Sequence, residues 1–315
     1  MLEKIKANQN VEGVFLLKSL STKTTKAGKS YFDLVLCDRY AEIPCKMWDV
    51  PQALLDNPFP AGDLIYASFL SEEYEGNLQG RIRSLRAVLL TDTYDKSELV
   101  PVSPIEPEKI YEYIMKTVSG FENDELRSVV QLVYEENKSL LLFMPAAKSV
   151  HHDFVGGLLF HTFGMLRTAT ALSQIYPSVN KELLCAGVLL HDIYKTREFT
   201  TSPVGLVTEY APCGNLLGHI SMGATYISKV CDKLNISEET SMLLQHMILS
   251  HHGEPEMGSA VTPRILEAKL LNLCDTIDAQ VEIFGKALKD VEPGTFSQKV
   301  FALKNNTVYK PKELR

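Results

Sequence analysis

The spacing of apolar positions divides the chain into two parts. Over residues 11–90 apolar and polar side chains alternate, the period of half-buried strands. Beyond residue 108 apolar side chains recur every three or four residues, the period of helices. Residues 11–20 are a first apolar run, followed by a polar, basic stretch over 21–30 that reads as a loop. Residues 31–37 alternate, with Phe32, Leu34 and Leu36 on one face. A turn at Asp38-Arg39-Tyr40 leads into 41–47, with Ala41, Ile43, Cys45 and Met47 on one face. Residues 50–57 predict a short helix before Pro58, and 64–70 and 79–90 predict two more strands joined through Glu75-Gly76-Asn77.

Five strands with a short helix between the third and fourth fit a small Greek-key β-barrel of the oligonucleotide/oligosaccharide-binding type, the OB-fold. Pro101, Pro104 and Pro107 lie among polar residues and mark a linker over 92–107. Ile110, Tyr113, Ile114 and Val118 then share a helix face, and 123–143 continue with Leu126, Val129, Val130, Leu132 and Val133. The expected organisation is multidomain: a barrel over 1–94, a linker and connecting helix over 95–130, and an all-α domain over 131–315.

Net charge is −7 over 315 residues, which excludes a protein that coats duplex DNA with a generally basic surface but leaves a local basic groove open. Six cysteines without C-x-x-C spacing read as reduced thiols of a cytoplasmic protein. The first ten residues are polar and carry no apolar signal region, and no apolar run reaches membrane-spanning length, so no membrane association is expected.

The binding face of such a barrel lies on its second and third strands. Here it offers Tyr31, Lys46 and Trp48, with Lys23, Lys26 and Lys29 in the preceding loop and Arg81 and Arg83 on the last strand. Aromatics interleaved with cations suit single-stranded RNA or DNA, since each stacked base contributes ~1–3 kcal/mol and cations track the phosphates. Residues 1–94 hold 11 basic and 12 acidic side chains, so composition alone leaves a solvated surface equally open.

The helical part carries the stronger chemical signal. Residues 183–190 are apolar on every side, as in a buried helix, and run directly into His191-Asp192. Taken alone, such a pair reads as a hydrogen-bonded core pair. However, all eight histidines lie between 151 and 252, and His161, His191, Asp192, His219, His251, His252 and Asp275 each sit in or beside an apolar helical stretch. Several imidazoles and two carboxylates in buried helices of one domain are hard to satisfy without a metal ion. A donor set of imidazole and carboxylate without thiolate suits Mn²⁺, Fe²⁺, Co²⁺, Ni²⁺, Zn²⁺ or Mg²⁺. His246 points about 140° away from His251 on a continuous helix and reads as a core histidine.

The order H…HD…D resembles the signature of the HD superfamily of all-helical metal-dependent phosphohydrolases. The resemblance assigns His161, His191, Asp192 and Asp275 as core ligands, and His219 with His251-His252 as the further histidines of two-metal members, Asp192 bridging the ions. Together with the barrel, the chain resembles the YhaM-type 3′→5′ exoribonucleases of Gram-positive bacteria over nearly its whole length, including residues 146–152, 214–220, 249–253 and 300–303 with Tyr309-Lys310-Pro311. The implied function is metal-dependent 3′→5′ hydrolysis of single-stranded RNA, and also of single-stranded DNA, in RNA turnover. Two divalent ions, Mn²⁺ foremost, would lower the pKa of water toward ~7 and clamp the phosphodiester. Lys195, three residues after Asp192 and on the same side if the helix continues, would hold a phosphate oxygen or stand as a surface lysine. His152 would contact substrate or protonate the leaving oxygen, or is a loop histidine without a role, and Asp278 would support a ligand. One position departs from the H-D-x-G-K form common among HD proteins: Tyr194 stands where a small residue is usual, and would narrow the pocket or offer a stacking surface.

Two other readings share these residues. One is an HD phosphodiesterase for a small nucleotide or cyclic dinucleotide, against which only the barrel speaks. The other is a non-enzymatic nucleic-acid-binding protein with an inactive HD domain. Assembly into a homo-oligomer is left open.

Overall fold

The structure, a computed structural model, describes residues 1–147, 152–202, 205 and 207–313; residues 148–151 of the family-like stretch over 146–152 lie outside it. Two compact units result. One comprises Met1–Val102 with Thr201–Thr208, the other Ser103–Thr200 with Glu209–Arg315.

The first unit is a closed five-stranded barrel of order β1-β2-β3-β5-β4. Its strands are β1 (Asn10–Thr24), β2 (Ser30–Cys37), β3 (Glu42–Met47), β4 (Leu64–Tyr74) and β5 (Asn77–Ala87). Helix α1 (Gln52–Asp56) falls between β3 and β4, as the pattern predicts. β1 pairs antiparallel with both β2 and β4, and a short parallel contact of β3 with β5 closes the ring through Cys45↔Gly80 and Lys46↔Arg81. The alternation read from sequence puts Phe32, Leu34, Leu36, Ile43, Cys45 and Met47 into the core with Phe15, Leu17, Ile65 and Phe69.

The stretch 21–30 differs from the expected loop. β1 continues to Thr24 and pairs with β2 through Thr22↔Phe32 and Thr24↔Ser30, so only a tight turn remains. Two threonines with high strand propensity, and a partner strand already in register, outweigh the polar character of the segment. β5 stops at Ala87, three residues before the expected end.

The second unit is mainly helical. It contains α3 (Pro107–Ser119), α4 (Asp124–Leu141), α5 (Gly157–Ile175), α6 (Lys181–Leu190), α7 (Lys195–Glu198), α8 (Pro212–Leu234), α9 (Glu238–Ser250) and α10 (Leu266–Leu288), and α2 (Lys96–Leu99) precedes them in the first unit. β6 (Phe199–Thr201) and β7 (Val207–Tyr210) form a small two-stranded sheet that the hydrophobic pattern does not predict. The stretch read as linker and connecting helix, 95–130, is divided between the units. Leu99 and Val100 are buried in the first; Ile110, Ile114, Val118, Val129 and Val130 are buried in the second. On α3 the buried tyrosine is Tyr111, while Tyr113 is exposed with its ring edge-on to Phe163.

Local sequence explains the helix ends nearest the site. Asn180 caps α6 by accepting from Leu183 N–H at 3.1 Å, and Ser237 caps α9 with Glu238 and Glu239 in its first turn. Residues 183–190 are all buried, as their composition demands. Gly187 lets α9 close on α6: a Cβ there would stand 2.0 Å from the Met247 methyl. No helix of the described residues is long and apolar enough to cross a membrane.

Candidate metal centre and nucleic-acid face

Asp192 lies just beyond the C-terminus of α6, buried, with four basic groups around its carboxylate. Oδ2 is 2.7 Å from Lys195 Nζ and 3.2 Å from His191 Nε2; Oδ1 is 3.3 Å from His219 Nε2 and 3.6 Å from His251 Nε2. His161 Nε2 from α5 stands 3.9 Å from Asp192 and 3.4 Å from Asp275 of α10. Five separate chain segments thus deliver the residues singled out from sequence to one place.

The outer nitrogens of the imidazoles are committed elsewhere. His191 Nδ1 donates to Val188 O and His251 Nδ1 to Ile248 O, both at 2.7 Å, and His252 Nδ1 to Met257 O at 3.1 Å. His219 Nδ1 meets the Glu198 carboxylate at 3.0 and 3.1 Å. These bonds put the proton on Nδ1 and leave Nε2 as a lone-pair donor aimed inward. Among the described residues, His191 Nε2, His219 Nε2, His251 Nε2 and Asp192 Oδ1 are buried polar atoms without a hydrogen bond. Convergent, deprotonated and unsatisfied imidazole nitrogens around a carboxylate are costly for a protein interior and suited to a divalent cation. The residues present therefore fit the metal that the sequence implies. His161, His191, Asp192 and Asp275 offer one donor set, and Asp192, His219, His251 and His252 offer another.

Electrostatics point the same way. Burial alone would depress the His161 pKa, but Asp275 and Asp278 on its two nitrogens raise it to about 9, so this spot favours positive charge. Burial and the neighbouring His251 push His252 down to about 4, leaving it a neutral donor at physiological pH. Burial opposes charge on Lys195, and the adjoining Asp192 more than offsets this and raises its pKa.

Two carboxylates stand behind the candidate ligands. Asp278 Oδ2 accepts from His161 Nδ1 and from His152 Nε2, each at 2.7 Å. Burial would raise this carboxyl, but the paired imidazoles hold it at about 2. Asp278 thus sits against the His161 ring, on the side away from Asp275. His152, expected as a loop residue reaching substrate, is buried with Nε2 on Asp278, a placement suited to holding the Asp278–His161 pair. Glu198 is the residue that sequence reasoning missed. Besides the His219 ring it accepts the His219 backbone N–H at 3.1 Å, capping the helix where α8 restarts after Gly218 (φ 69°). A lone glutamate in a polar tetrapeptide carries no periodic signal that would have found it.

Lys195 reaches Asp192 by a different route from the expected continuous helix. α6 ends at Leu190, and a turn bonding Lys195 N to Asp192 O at 2.9 Å folds the side chain back. His246 is half-buried rather than core, and its Nε2 accepts from Arg264 N–H at 2.9 Å, away from the cluster. Tyr194 packs its ring on Tyr226 at 4.9 Å. It is not among the residues lining the cavity of about 260 Å³ that opens beside Lys195, His252 and Asp275.

On the barrel, Tyr31 and Trp48 stack with centroids 4.6 Å apart, and Lys46 Nζ lies 5.6 Å from the Trp48 ring and 6.0 Å from that of Tyr74. Lys46 is in register with Arg81, and Arg81 and Arg83 are exposed. Tyr31, Trp48, Lys46 and Arg81 of the predicted face are therefore brought together, with Tyr74 as an addition, while Arg83 falls where the β4–β5 register shifts. Lys23 and Lys29 are paired with Asp33 and Asp49, which takes two of the three expected loop cations out of the unpartnered set.

Residues 158–280 match the HD domain family. Over 303 residues the chain is 37% identical to the 3′-5′ exoribonuclease YhaM of Listeria welshimeri, covering 96% of each chain. It is 33% identical to the protein of that name from Bacillus subtilis, covering 96% of this chain and 95% of that one. Among solved structures, the HD domain of the Listeria monocytogenes phosphodiesterase PgpH aligns with 49% of this chain and 73% of its own, at 15% identity and a TM-score of 0.27. The second OB-fold domain of replication protein A from Methanococcus maripaludis aligns with 30% of this chain and 97% of its own, at 14% identity and a TM-score of 0.23.

Proposed function

The chain belongs to the family of proteins named 3′-5′ exoribonuclease YhaM, and from that premise we propose that it hydrolyses single-stranded RNA from the 3′ end, in RNA turnover in the cytoplasm, with single-stranded DNA as a second substrate. The observation that carries this reading is the convergence of the His191, His219 and His251 Nε2 atoms on Asp192, each ring held from behind. Divalent metal, two ions with Mn²⁺ as the working choice, would be held by His161, His191, Asp192, Asp275, His219, His251 and His252, and would supply Lewis acidity and a water acidic enough to react near neutral pH.

The rest of the chemistry belongs to the chain. Lys195, charged and beside Asp192, is the group to meet a non-bridging phosphate oxygen. His152 and Asp278 hold the His161 ring, and Glu198 holds the His219 ring. On the barrel, Tyr31 and Trp48 stack bases while Lys46, Arg81 and Arg83 follow the phosphates. This face also weighs against a small nucleotide or cyclic dinucleotide as the main substrate, since neither needs a stacking platform.

The test is incubation of 5′-end-labelled single-stranded RNA with the protein and Mn²⁺. A ladder shortening from the 3′ end, abolished by a chelator and restored by added metal, is the expected result. Absence of products with every divalent metal, or products indifferent to chelation, overturns the reading.

A further inference from the structure

The cavity beside the metal ligands has a lining of two chemical kinds. Lys195, His252 and Asp275 are the charged and metal-facing groups of its lining; further along α10 the lining runs through uncharged Thr276, Ala279 and Gln280. At about 1.5 Å per residue, Gln280 lies about 7.5 Å along the helix from Asp275. The volume, about 260 Å³, falls below the roughly 300–1,000 Å³ of drug-sized sites, so it takes one nucleoside unit rather than a stretch of strand.

Thr276 and Gln280 are exposed, and both keep hydrogen-bonding capacity that the protein does not use. Thr276 Oγ1 donates to Asn272 O within its own helix at 2.8 Å, which leaves its lone pairs free to accept. The Gln280 amide makes no hydrogen bond among the described residues and offers both a donor and an acceptor. Between them Ala279 presents only a methyl group, and this leaves the space open. A ribose 2′-hydroxyl is both donor and acceptor, and it is the group by which a protein tells RNA from DNA. Met257, exposed and also in the lining, offers a soft apolar surface to a base.

We propose that Thr276 and Gln280 form a ribose-reading subsite for the nucleotide at the cleaved end, and that they set the preference for RNA over DNA. The proposal rests on the exonuclease reading above and deepens it. With a phosphate at Lys195, the sugar of the same nucleotide falls against α10. Thr276 then accepts from the 2′-hydroxyl and the Gln280 amide donates to it.

Thr276→Val and Gln280→Leu keep side-chain size while removing these groups. The measurement is kcat/KM on an RNA oligomer and on the DNA of the same sequence, with Mn²⁺. The RNA-to-DNA ratio should fall about tenfold in the double variant, as expected for losing one or two hydrogen bonds made only with RNA. A ratio equal to that of the parent protein overturns the proposal. A second arm uses the unaltered protein and so does not depend on the variants folding. RNA carrying a single 2′-deoxy nucleotide at its 3′ end should lose that residue about tenfold more slowly than all-RNA; equal rates overturn the proposal. Failure of the unaltered protein to degrade RNA at all would instead sink the exonuclease reading, so the two failures are distinguishable.

Discussion

The barrel core is built from Phe15, Phe32, Phe69, Leu34, Ile65, Cys45 and similar side chains, and Trp48, Lys46 and Arg81, the groups proposed to meet nucleic acid, stand outside it. In the helical unit the order is inverted: His161, His191, Asp192 and His251 are buried, and the surrounding helices present polar atoms inward. The first arrangement has a closed apolar core, and a ligand would add to a finished surface. The second leaves Asp192 Oδ1 and the Nε2 atoms of His191, His219 and His251 unsatisfied, although Lys195 already pairs with Oδ2, and a cation among them would complete it. Substitutions in the two regions should therefore fail differently: in the helical unit through metal binding and turnover, in the barrel through substrate affinity or packing.

The largest effect is expected at Asp192. Asp192→Ala takes a donor from both candidate ligand sets, and Mn²⁺-dependent RNA hydrolysis should fall by at least about 1,000-fold, beyond the 10–100-fold typical of outer partners. Circular dichroism should still show a folded helical protein. Full activity in this variant would remove the metal centre from the mechanism and with it the contrast between the regions.

Next come the supporting carboxylates. Asp278→Asn and Glu198→Gln keep their shapes but weaken the grip on the His161 and His219 rings, and each should lower metal affinity about 10–100-fold in a calorimetric titration. The Glu198 result matters more, because it concerns a residue that only the folded chain reveals. Unchanged metal affinity in both would mean that ring orientation is set by packing alone.

What could be read in advance follows from how each signal is carried. Residues 183–190 announce a buried helix through composition alone, and the strand faces at 31–37 and 41–47 through strict alternation; both are local properties, and both match the structure. Lys23 with Asp33 depends on strand register, Lys195 with Asp192 on a turn, and Glu198 with His219 on the break at Gly218. The three-residue spacing of Asp192 and Lys195 is visible in the chain; the other two are not periodic, and no pattern displays them. The continuation of β1 through Thr24 was hidden similarly, since a polar hairpin is stabilised by its partner strand rather than by hydrophobic alternation.

The barrel face offers a smaller and different effect. Trp48→Ala removes one stacking platform and leaves Tyr31 without its partner at 4.6 Å. Affinity for a long single-stranded RNA should weaken about tenfold, the order of one lost base stack. Filter binding with the chelated protein measures this separately from turnover. Unaltered affinity would assign the face to something other than nucleic acid.

Packing inside the barrel can be probed at β3 and β5. A Cβ on Gly80 would stand 2.4 Å from Cys45 Sγ and 3.0 Å from the Phe69 ring. Gly80→Ala should therefore destabilise the barrel by about 1–3 kcal/mol through overpacking. Adding Cys45→Ala should return part of that loss, visible as a non-additive term in the double-mutant cycle. Trp48, the only tryptophan, reports unfolding of this unit by fluorescence. Strict additivity would show that the strands separate to admit the methyl group.

The smallest effect expected comes from the same cysteine, through pH. Burial pushes the Cys45 thiol up to about 12 from its ordinary value of 9.0. The folded barrel keeps the thiol neutral where the unfolded chain ionises it, so alkali favours the unfolded state. The stability is present in full below about pH 9 and drains away as pH rises toward 12, at about 1.4 kcal/mol per unit once the unfolded thiol has titrated. Between pH 8 and 10, Cys45→Ala should lose about 1 kcal/mol less of its unfolding free energy than the parent, followed through Trp48 in urea at each pH. Parallel curves for the two proteins would mean that the thiol ionises as readily folded as unfolded. That outcome would put solvent in the barrel core and blur the contrast between a dry barrel interior and a polar helical one.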